Sequence, residues 1–467
     1  MFIKQLYTGC LSEAAYYLES EGEAAIIDPL RDVDSYVQLA RERNATIKYI
    51  FETHFHADFV SGHLDLQKAT GAPIVYGPRT ETGFPIHLAR DGETFQLGNL
   101  TIEVLHTPGH TPESTCYLLR DEKGEAYAVF TGDTLFVNDV GRPDLSGGNL
   151  DKNDLASMLY DSLQQKILPL PDHVLVYPAH GAGSSCGKNL GPETFSTIGE
   201  QKRTNYALQP QTREEFIKAV TEGLTAPPQY FPINARINKE GYESLEKVLT
   251  AGLTPLPAVA FAEMIKTGVT VLDTRNAKEF TKEFVPGAVS IGLEGRFAEW
   301  AGSLLPFDKP IILVTEAGKE EESVIRLARV GFSDIRGYLQ GGLDSWKQAG
   351  FDIDMIIDVE VDELEMDLPY DNHLVVIDVR QEAEYADGHV RGALNIPLQE
   401  LTDPGSMAGI EDQHNLYLHC ASGYRSVIAA SLLKRQGIHN LRNVLGGYKA
   451  ITANTKIEVV KDQRVLN

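Results

Sequence analysis

The pattern of apolar and polar positions changes near the middle of the chain. In the first half, residues 14–28 form two apolar runs separated at Gly22, a pattern typical of a β-hairpin. Residues 100–109 and 114–133 continue in short strands that look antiparallel. Helical patterns lie between such strands or follow them, over residues 32–44, 62–71, 153–168 and 213–224. The first half therefore predicts antiparallel-looking sheets accompanied by helices.

The second half alternates short strands with helices. Residues 374–378 and 415–420 have the pattern of buried strands, and an amphipathic helix pattern follows over 426–437. The same order occurs earlier in the chain, with a strand over 310–315 and a helix over 322–331. Because strands that alternate with helices form parallel sheets covered by helices, this half predicts an α/β fold.

A repeat of 105 residues divides this second half. Three landmarks recur at this spacing: Asp273 and Asp378, the segments 285–289 and 390–394, and the glycine pairs 341–342 and 446–447. Their common register indicates a duplicated domain of about 100 residues. The stretch 251–259 contains two prolines and is the best candidate for a linker in front of the repeats. We therefore expect three domains, at residues 1–250, 256–352 and 358–467.

The composition is that of a globular protein, with 42% hydrophobic and 23% charged residues in 467. The formal net charge of −24 disfavours binding to nucleic acid, whose backbone is also negative. No apolar run approaches the roughly 20 residues that span a bilayer, and the N-terminus lacks the pattern of a signal peptide. We therefore expect a cytoplasmic protein that does not bind membranes. Its four cysteines are too few for a disulfide scaffold.

Four segments of the first domain end predicted strands with side chains that can bind a metal. They are ETHFHAD (52–58), HTPGHT (106–111), FTGDT (130–134) and YPAHG (177–181). Residues at strand ends are held by a rigid sheet, which suits them to position a metal ion. A single histidine of this kind is usually a surface or core residue, but four such clusters in one domain predict a metal site.

These four motifs together resemble the metallo-β-lactamase fold, an αββα sandwich with metal at one edge of its two sheets. Hydrolytic members such as the glyoxalase II thioesterases carry HxHxDH and bind two metal ions. Here Phe59 follows Asp58, and a phenyl ring has no lone pair to offer, so we expect one metal ion.

Within that superfamily, the chain resembles the persulfide dioxygenases, which use one non-haem iron. The resemblance implies one Fe(II) per chain, bound by His54, His110 and Asp133. Two histidines and one carboxylate on one face leave three positions for a sulfur substrate and O₂. The residues expected to lie behind these ligands and orient them are His56, Asp58 and His180.

Other residues of the first domain match positions near the metal in that family. Arg142 and Asp144 match a paired arginine and aspartate, and Tyr177 matches a tyrosine close to the iron. An ion pair that only holds its loop, and a tyrosine that only packs, are equally good interpretations of these residues. Cys186 either lines the substrate pocket or is a small buried residue.

The second repeat contains the motif HCASGYRS at residues 419–426. A predicted strand ends at Cys420, and a helix begins close to Arg425. The loop between them would turn the backbone N–H groups of Ala421, Ser422, Gly423 and Tyr424 inward to form an anion-binding nest. This nest, the helix N-terminus and the charge of Arg425 all favour a nucleophilic thiolate at Cys420.

This repeat resembles rhodanese over the D-V-R motif (378–380), the segment 384–397, the cysteine loop and G-G-Y (446–448). A phosphatase loop, C-x₅-R, is the main alternative, but Cys420 and Arg425 enclose only four residues. The resemblance implies that the smaller loop holds a sulfur atom as a cysteine persulfide. In the first repeat Thr315 replaces the cysteine, and the loop that follows carries four glutamates, so we expect that copy to be inactive.

The whole chain resembles the bacterial fusions of a persulfide dioxygenase with tandem rhodanese domains. The expected partners are low-molecular-weight thiol persulfides (of glutathione, coenzyme A or bacillithiol), O₂, sulfite and thiosulfate, and we expect a homo-oligomer. The resemblance implies oxidation of persulfide to sulfite and sulfur transfer through Cys420, with a role in sulfide detoxification. Two alternatives are a zinc thioester hydrolase of the glyoxalase II kind fused to a sulfurtransferase, and a non-enzymatic sulfide-sensing scaffold.

Overall fold

The computed structural model describes residues 1–145, 150–402, 404–407, 410 and 413–461. The chain divides into two compact units. The first contains Met1–Val248 and Ile325–Ser333, and the second contains Leu249–Val324 and Asp334–Asn467. Within the described part of the chain, every helix is too short or too polar to cross a bilayer.

Twelve strands and seven helices are found among the described residues of the first 252 positions. The strands are β1 (Phe2–Thr8), β2 (Glu13–Ser20), β3 (Glu23–Ile27), β4 (Thr46–Phe51), β5 (Ile74–Tyr76), β6 (His87–Leu88), β7 (Thr94–Leu97), β8 (Leu100–His106), β9 (Thr115–Arg120), β10 (Ala126–Gly132), β11 (Leu175–Pro178) and β12 (Ser196–Thr197). The helices are α1 (Asp34–Glu42), α2 (His63–Thr70), α3 (Lys152–Ser162), α4 (Ile198–Thr204), α5 (Arg213–Thr221), α6 (Phe231–Glu240) and α7 (Leu245–Gly252). A π-helical turn, Leu163–Ile167, continues α3, and a 3₁₀ turn spans Tyr206–Leu208.

These strands form two six-stranded sheets, with orders β1-β2-β3-β4-β5-β6 and β12-β11-β10-β9-β8-β7. Alternate residues of a strand point to opposite faces, and β2 shows the consequence. Tyr16 and Leu18 pack between the two sheets, whereas Tyr17 packs against α1 and α2 on the outer face of the first sheet. Residues of α3 and α5 cover the outer face of the second sheet in the same way. The predicted αββα sandwich is therefore confirmed.

The part of the remaining chain that the structure describes contains twelve further strands and nine helices. The strands are β13 (Pro255–Leu256), β14 (Thr270–Asp273), β15 (Val289–Ser290), β16 (Ile311–Val314), β17 (Ile335–Leu339), β18 (Ile357–Val359), β19 (Leu374–Asp378), β20 (His389–Val390), β21 (Leu394–Asn395), β22 (Asn415–His419), β23 (Leu441–Val444) and β24 (Val459–Val460). The helices are α8 (Ala258–Lys266), α9 (Ala277–Lys282), α10 (Phe297–Leu304), α11 (Glu320–Arg329), α12 (Gly342–Gln348), α13 (Val361–Asp367), α14 (Glu382–Ala386), α15 (Tyr424–Arg435) and α16 (Gly447–Ala453). Two 3₁₀ turns span Leu398–Thr402 and Pro404–Met407.

The repeats form two five-stranded parallel sheets of matching topology. Their strand orders are β13-β17-β16-β14-β15 and β18-β23-β22-β19-β21. The strands of both sheets pair in parallel. The parallel α/β arrangement predicted from the alternating pattern is confirmed.

Helix α15 of the second repeat packs on β15, an edge strand of the first repeat. The Ser431 hydroxyl accepts a hydrogen bond from the Ser290 backbone N–H at 3.0 Å. Nearer the helix N-terminus, the Tyr424 hydroxyl donates to the Gly292 carbonyl at 2.9 Å. The helix that follows the cysteine loop therefore rests on the repeat that lacks the cysteine.

The structure differs from the sequence-based expectations in two places. Strands β3, β4, β5 and β6 pair in parallel, although the first half was expected to be antiparallel. The connections from β3 to β4 and from β4 to β5 pass through α1 and α2, and such crossovers allow parallel pairing. The stretch 251–259 is also not a free linker, because it contains the end of α7, strand β13 and the start of α8.

Candidate metal centre and thiol site

The carboxyl ends of β3, β4, β8, β10 and β11 lie at one edge of the sandwich. Each of these strands is followed within four residues by a side chain that can bind or orient a metal ion: Asp28, His54, His110, Asp133 and His180. All five side chains are buried, with relative exposures of 2% or less. The sheets therefore hold a polar cluster in a part of the molecule that is otherwise packed with apolar residues.

The three predicted ligands are brought together. The Asp133 Oδ2 atom lies 3.4 Å from His110 Nε2 and 3.7 Å from His54 Nε2. Their donor atoms all lie within 4.8 Å of one another, a separation that one metal ion can bridge. The arrangement has two imidazoles and one carboxylate, a donor set that suits Fe(II), Zn²⁺ and related ions.

Hydrogen bonds fix which ring nitrogen of each histidine is free. The His110 Nδ1 atom is 2.9 Å from the Arg142 carbonyl, which can only accept, so Nδ1 carries the proton. The Thr53 hydroxyl donates to Asp28 at 2.9 Å and therefore accepts from His54 Nδ1 at 3.0 Å. Both Nε2 atoms are left with a lone pair directed towards Asp133, as metal ligation requires.

Burial is the main cause of the low pKa of His54, which lies well below its usual value. The neighbouring His56, His110 and His180 lower it further. His54 is therefore a neutral imidazole at pH 7, the form that binds metals.

Asp133 lies between the first group and a second one formed by His56, Asp58 and His180. The His180 Nε2 atom is 3.6 Å from Asp133 Oδ1 and 3.5 Å from Asp58 Oδ2. Its Nδ1 atom lies 3.2 Å from the Ser12 carbonyl, so this histidine is oriented like the other two.

Phe59 occupies the position of the last histidine in the HxHxDH motif of the hydrolytic members, so it offers no ligand atom to the second group. The Phe59 ring is fully buried and lies 4.3 Å from the His56 ring, centroid to centroid. The His56 Nε2 atom lies 3.1 Å from Asp28 Oδ1, but neither ring nitrogen of His56 has a hydrogen-bond partner among the described residues. Burial acts to lower the pKa of His56, but the Asp28 and Asp58 carboxylates outweigh it and raise that pKa.

Buried atoms without partners show that the cluster fits a cation. Both carboxylate oxygens of Asp133 and the Nε2 atom of His180 lack hydrogen-bond partners among the described residues. A buried carboxylate without a partner is costly, and a metal ion would satisfy these atoms together. The donor set and the unpaired atoms therefore agree with a bound metal.

Arg142 connects the metal cluster to the loop that carries Cys186. Its carbonyl accepts from His110, and its backbone N–H donates to the Cys186 carbonyl at 3.0 Å. Its guanidinium forms two 2.7 Å hydrogen bonds to Asp144 and further bonds to the carbonyls of Ser185 and Thr225. The side chain is thus engaged in holding loops, and a direct contact with substrate stays a prediction.

Gly141, which the sequence did not single out, allows this close packing. A Cβ atom at this position would lie 2.0 Å from the Asp133 carbonyl oxygen and 2.9 Å from His110 Nδ1. Any larger residue would therefore displace two of the three candidate ligands.

Cys186 and Tyr177 lie in different surroundings. The Cys186 sulfur lies within 4.8 Å of ligand atoms of Asp133 and His180. Burial, reinforced by Asp58 and Asp133, raises the pKa of this thiol well above its usual value. The Tyr177 ring instead stacks on Phe130 in the core between the sheets, with ring centroids 5.3 Å apart. Cys186 thus lies beside the cluster, whereas a role for Tyr177 near the metal stays a prediction.

The second site lies at the carboxyl end of β22. Cys420 is 1% exposed, and its sulfur accepts a hydrogen bond from the Gly423 N–H at 3.1 Å. Gly423 has φ of 109°, a conformation that favours glycine, and it precedes the first residue of α15. The sulfur therefore lies near a helix N-terminus, as the motif predicted.

The G-G-Y motif closes this loop from behind. The Tyr448 N–H donates to the Cys420 carbonyl at 2.7 Å, and the Lys449 N–H donates to the Ala421 carbonyl at 3.1 Å. A Cβ atom on Gly447 would lie 2.4 Å from the Cys420 carbonyl oxygen, so only glycine fits there.

Arg425 has a partner that the sequence did not reveal. Its guanidinium forms two hydrogen bonds, of 2.6 and 2.8 Å, to the carboxylate of Glu384. Glu384 belongs to the motif that resembles rhodanese, but nothing in the spacing indicated that it contacts the cysteine loop.

The first repeat has the same Asp–Arg ion pair as the second repeat but lacks the reactive residues of the cysteine loop. Arg275 pairs with Asp273 at 2.7 Å, as Arg380 pairs with Asp378 at 2.6 Å in the second repeat. Thr315 follows β16 in the position of Cys420, and α11 begins with Glu320, Glu321 and Glu322. The loop thus has neither the thiol nor the arginine.

Comparison with known proteins identifies both parts of the chain. The metallo-beta-lactamase superfamily matches residues 8–180, and the rhodanese-like domain matches residues 258–349 and 360–454. The mouse persulfide dioxygenase ETHE1 is 32% identical over 219 residues, which cover 46% of this chain and 78% of that protein. Glyoxylase B2 of Dictyostelium discoideum is 32% identical over 248 residues, covering 48% and 78% of the two chains.

A solved structure extends the likeness beyond the first domain. The crystal structure of a metallo-beta-lactamase from Staphylococcus aureus subsp. aureus COL has a TM-score of 0.64 and 34% identity to this chain. The match covers 73% of this chain and 98% of that one.

The chain belongs to the metallo-β-lactamase superfamily. It carries a metallo-β-lactamase domain with persulfide dioxygenase homologues, followed by tandem rhodanese-like domains, which is the arrangement of a dioxygenase–rhodanese fusion.

Proposed function

We propose that the chain oxidises low-molecular-weight thiol persulfides with O₂ and transfers sulfane sulfur through Cys420. The oxidation is RSSH + O₂ + H₂O → RSH + SO₃²⁻ + 2H⁺, in which the terminal sulfur is oxidised and O₂ is reduced. The observation that carries this proposal is the buried group His54, His110 and Asp133, whose free donor atoms converge while Phe59 removes a ligand from the neighbouring group. The relatives include persulfide dioxygenases, which supports this reading.

We propose Fe(II) as the metal, one ion per chain, held by these three residues. The ion would supply open coordination positions and electrons for O₂ chemistry on a sulfur ligand. His54 and His110 would offer Nε2 to the ion, because their Nδ1 atoms are hydrogen-bonded to the Thr53 hydroxyl and the Arg142 carbonyl. Buried Phe59 and the surrounding core exclude bulk water from the cluster.

Cys186 is the residue best placed to contact a bound persulfide, since its sulfur lies beside Asp133 and His180. Burial keeps it as a neutral thiol, which would not repel an anionic persulfide sulfur. Arg142 and Asp144 hold the loop that carries this cysteine. We therefore propose that the Arg142–Asp144 pair shapes the pocket and that Cys186 lines it.

At the second site the Cys420 thiolate attacks the outer sulfur of a persulfide, giving Cys420–S–S⁻ and RSH. Sulfite then attacks the outer sulfur of Cys420–S–S⁻, which yields thiosulfate and returns Cys420–S⁻. The Gly423 N–H and the other N–H groups of residues 421–424 would stabilise these anions. Both steps transfer a sulfur atom, and neither needs an external oxidant or reductant.

One observation favours a second candidate function. His56, Asp58 and His180 form a further buried group, and Glyoxylase B2 is among the relatives. A zinc thioester hydrolase of the glyoxalase II kind would need this group to bind a second ion. Phe59 argues against it, because its ring lies against His56 and offers no ligand atom.

Oxygen consumption with glutathione persulfide tests the proposal, with coenzyme A and bacillithiol persulfides as further substrates. We expect O₂ uptake together with equimolar sulfite in the absence of sulfur transfer. His110→Ala should lose metal and O₂ uptake, while Cys420 still exchanges sulfur with thiosulfate. Hydrolysis of a glutathione thioester without O₂ uptake would favour the hydrolase, and absence of both activities would favour a sensing scaffold.

A further inference from the structure

The charge of Arg425 is shared with a carboxylate that lies beside the cysteine loop. Glu384 accepts hydrogen bonds from both terminal nitrogens of Arg425, at 2.6 and 2.8 Å. The Arg425 side chain is 17% exposed and the Glu384 side chain is 37% exposed, so the pair is partly shielded from water. Hydrogen bonds from Arg425 lower the pKa of Glu384, and this carboxylate is therefore ionised at neutral pH.

Glu384 is itself held in place by its own helix. It is the third residue of α14, and its Oε2 atom accepts from the Gln381 N–H at 3.1 Å in a capping box. The carboxylate therefore joins the start of α14 to the start of α15. Because one end of this link is fixed by the capping box, Glu384 determines where the Arg425 guanidinium lies.

The first repeat shows that this contact belongs to the copy with the cysteine. Glu279 is equivalent to Glu384, 105 residues earlier, and the position of Arg425 is taken by Glu320. Glu279 pairs instead with Lys282 of its own helix at 2.6 Å, where both side chains are exposed. Where no arginine opens the following helix, the equivalent glutamate turns away to solvent.

We propose that Glu384 is a positioning residue for the sulfur-transfer site. It holds the Arg425 guanidinium beside Cys420, and its negative charge weakens the binding of sulfur oxyanions to Arg425. This inference rests on the proposed sulfurtransferase function. An incoming sulfite or thiosulfate must share the guanidinium with a carboxylate that already makes two hydrogen bonds to it. The competition weakens anion binding and lets the product anion leave.

Glu384→Gln tests this role, because glutamine also serves in a capping box and its carbonyl can still accept from Arg425. The variant removes the competing charge while keeping the guanidinium in place. We expect the KM for thiosulfate, in sulfur transfer to cyanide by the full-length protein, to fall about three- to tenfold, the range of a partly exposed charge interaction. The kcat should fall or stay level because release of sulfite becomes slower, and the KM should rise more steeply with salt.

A matched control is Glu382→Gln, which makes the same charge change at an exposed position in the first turn of α14. It should leave both constants at their wild-type values. The fall in KM should also disappear when Glu384→Gln is made in an Arg425→Ala background, since Glu384 acts through the arginine.

An unchanged or raised KM in Glu384→Gln would overturn the inference, as would an equal effect in the Arg425→Ala background. Wild-type protein without any sulfur transfer would instead contradict the proposed sulfurtransferase function, and this inference with it. Thermal unfolding of each variant separates a loss of folding from an effect on KM.

Discussion

At the scale of single residues, the groups behind the candidate ligands determine what the ligands can do. His54, His110 and His180 are each hydrogen-bonded at Nδ1, by the Thr53 hydroxyl and by the carbonyls of Arg142 and Ser12. Each ring therefore presents Nε2 to the space around Asp133. A metal site built in this way depends on its supporting hydrogen bonds almost as much as on its ligands.

Thr53→Val tests that dependence at one hydroxyl. Valine has nearly the shape of threonine but cannot pass a hydrogen bond from His54 to Asp28, so the His54 ring loses its fixed orientation. We expect a loss of metal affinity of about 10- to 100-fold, measured by competition with a chelator. Thr46→Val, at an exposed position in β4, the strand that precedes Thr53, is the control. Equal metal affinity in the two variants would show that this relay is unimportant.

His63 should make the unfolding free energy depend on pH. Burial, with the charges of His56 and Arg31, lowers the pKa of His63 to about 3, whereas an unfolded histidine has a pKa near 6.5. Between these values the unfolded chain binds the extra proton, so stability is fully present above about pH 6.5 and falls towards pH 3 at about 1.4 kcal/mol per unit.

In His63→Phe the ring can still stack on Phe84 but cannot take up a proton. Urea unfolding at pH 7 and pH 5 should show wild-type protein losing about 2 kcal/mol more than the variant. Parallel losses in the two proteins would contradict the assignment of a neutral, buried His63.

The candidate metal ligands were easier to predict from the sequence than the residues that contact and orient the reactive groups. Motifs at strand ends pointed to a metal site, and the family resemblance implied His54, His110 and Asp133 as its ligands. The structure brings the donor atoms of these three residues together. Glu384 and Gly141 were missed because their roles arise from contacts between segments distant in the chain. Asp28 could have been found, since it ends β3 as the other polar residues end their strands.

At the scale of helices and strands, the ends of strands position the reactive side chains, and helices hold the adjoining loops in place. Helix α15 carries the cysteine loop at its N-terminus and lies on β15 of the first repeat. Tyr424 lies four residues after Cys420, and its hydroxyl donates a hydrogen bond to the Gly292 carbonyl. The repeat without a cysteine therefore supports the loop of the repeat that has one.

Tyr424→Phe removes this single hydrogen bond while keeping the ring. A hydrogen bond of this kind contributes about 1 kcal/mol, so we expect kcat/KM for sulfur transfer to fall about fivefold as the loop loosens. Oxygen uptake with persulfide should stay unchanged. Tyr370→Phe, at a tyrosine that is 86% exposed, controls for loss of a hydroxyl. Sulfur transfer equal to wild type would show that the first repeat does not support the loop.

Element type was easier to predict from the sequence than strand direction. The helical patterns over 62–71 and 213–224 correspond to α2 and α5. The direction of β4 and β5 was missed because alternation within a strand is the same for parallel and antiparallel pairing. The short strand β13 was missed because Pro255 and Pro257 resemble a linker.

At the scale of the whole molecule, the chain combines a metallo-β-lactamase domain with two rhodanese-like domains, and the oxidation and sulfur-transfer reactions that we propose for them share sulfite. We propose that sulfite made by the first domain is the acceptor for the sulfur held on Cys420. The substrates expected for both reactions are all small molecules.

Cys420→Ser tests whether the two activities are linked. The variant should consume O₂ at a rate close to wild type, because the candidate iron ligands all lie in the first domain. Its product should shift from thiosulfate to sulfite, as measured by chromatography of bimane-labelled sulfur anions. Thr315→Ser makes a similarly small change at the equivalent position of the first repeat and should leave the products unchanged. Undiminished thiosulfate from Cys420→Ser would disprove the link.

The metal content of protein assayed for O₂ uptake distinguishes a dioxygenase with one iron from a hydrolase with two zinc ions. Iron and zinc per chain should be measured on the same preparation whose O₂ uptake with glutathione persulfide is recorded. We expect one iron per chain, with O₂ uptake proportional to iron content. Two zinc ions per chain in protein that does not consume O₂ would contradict it.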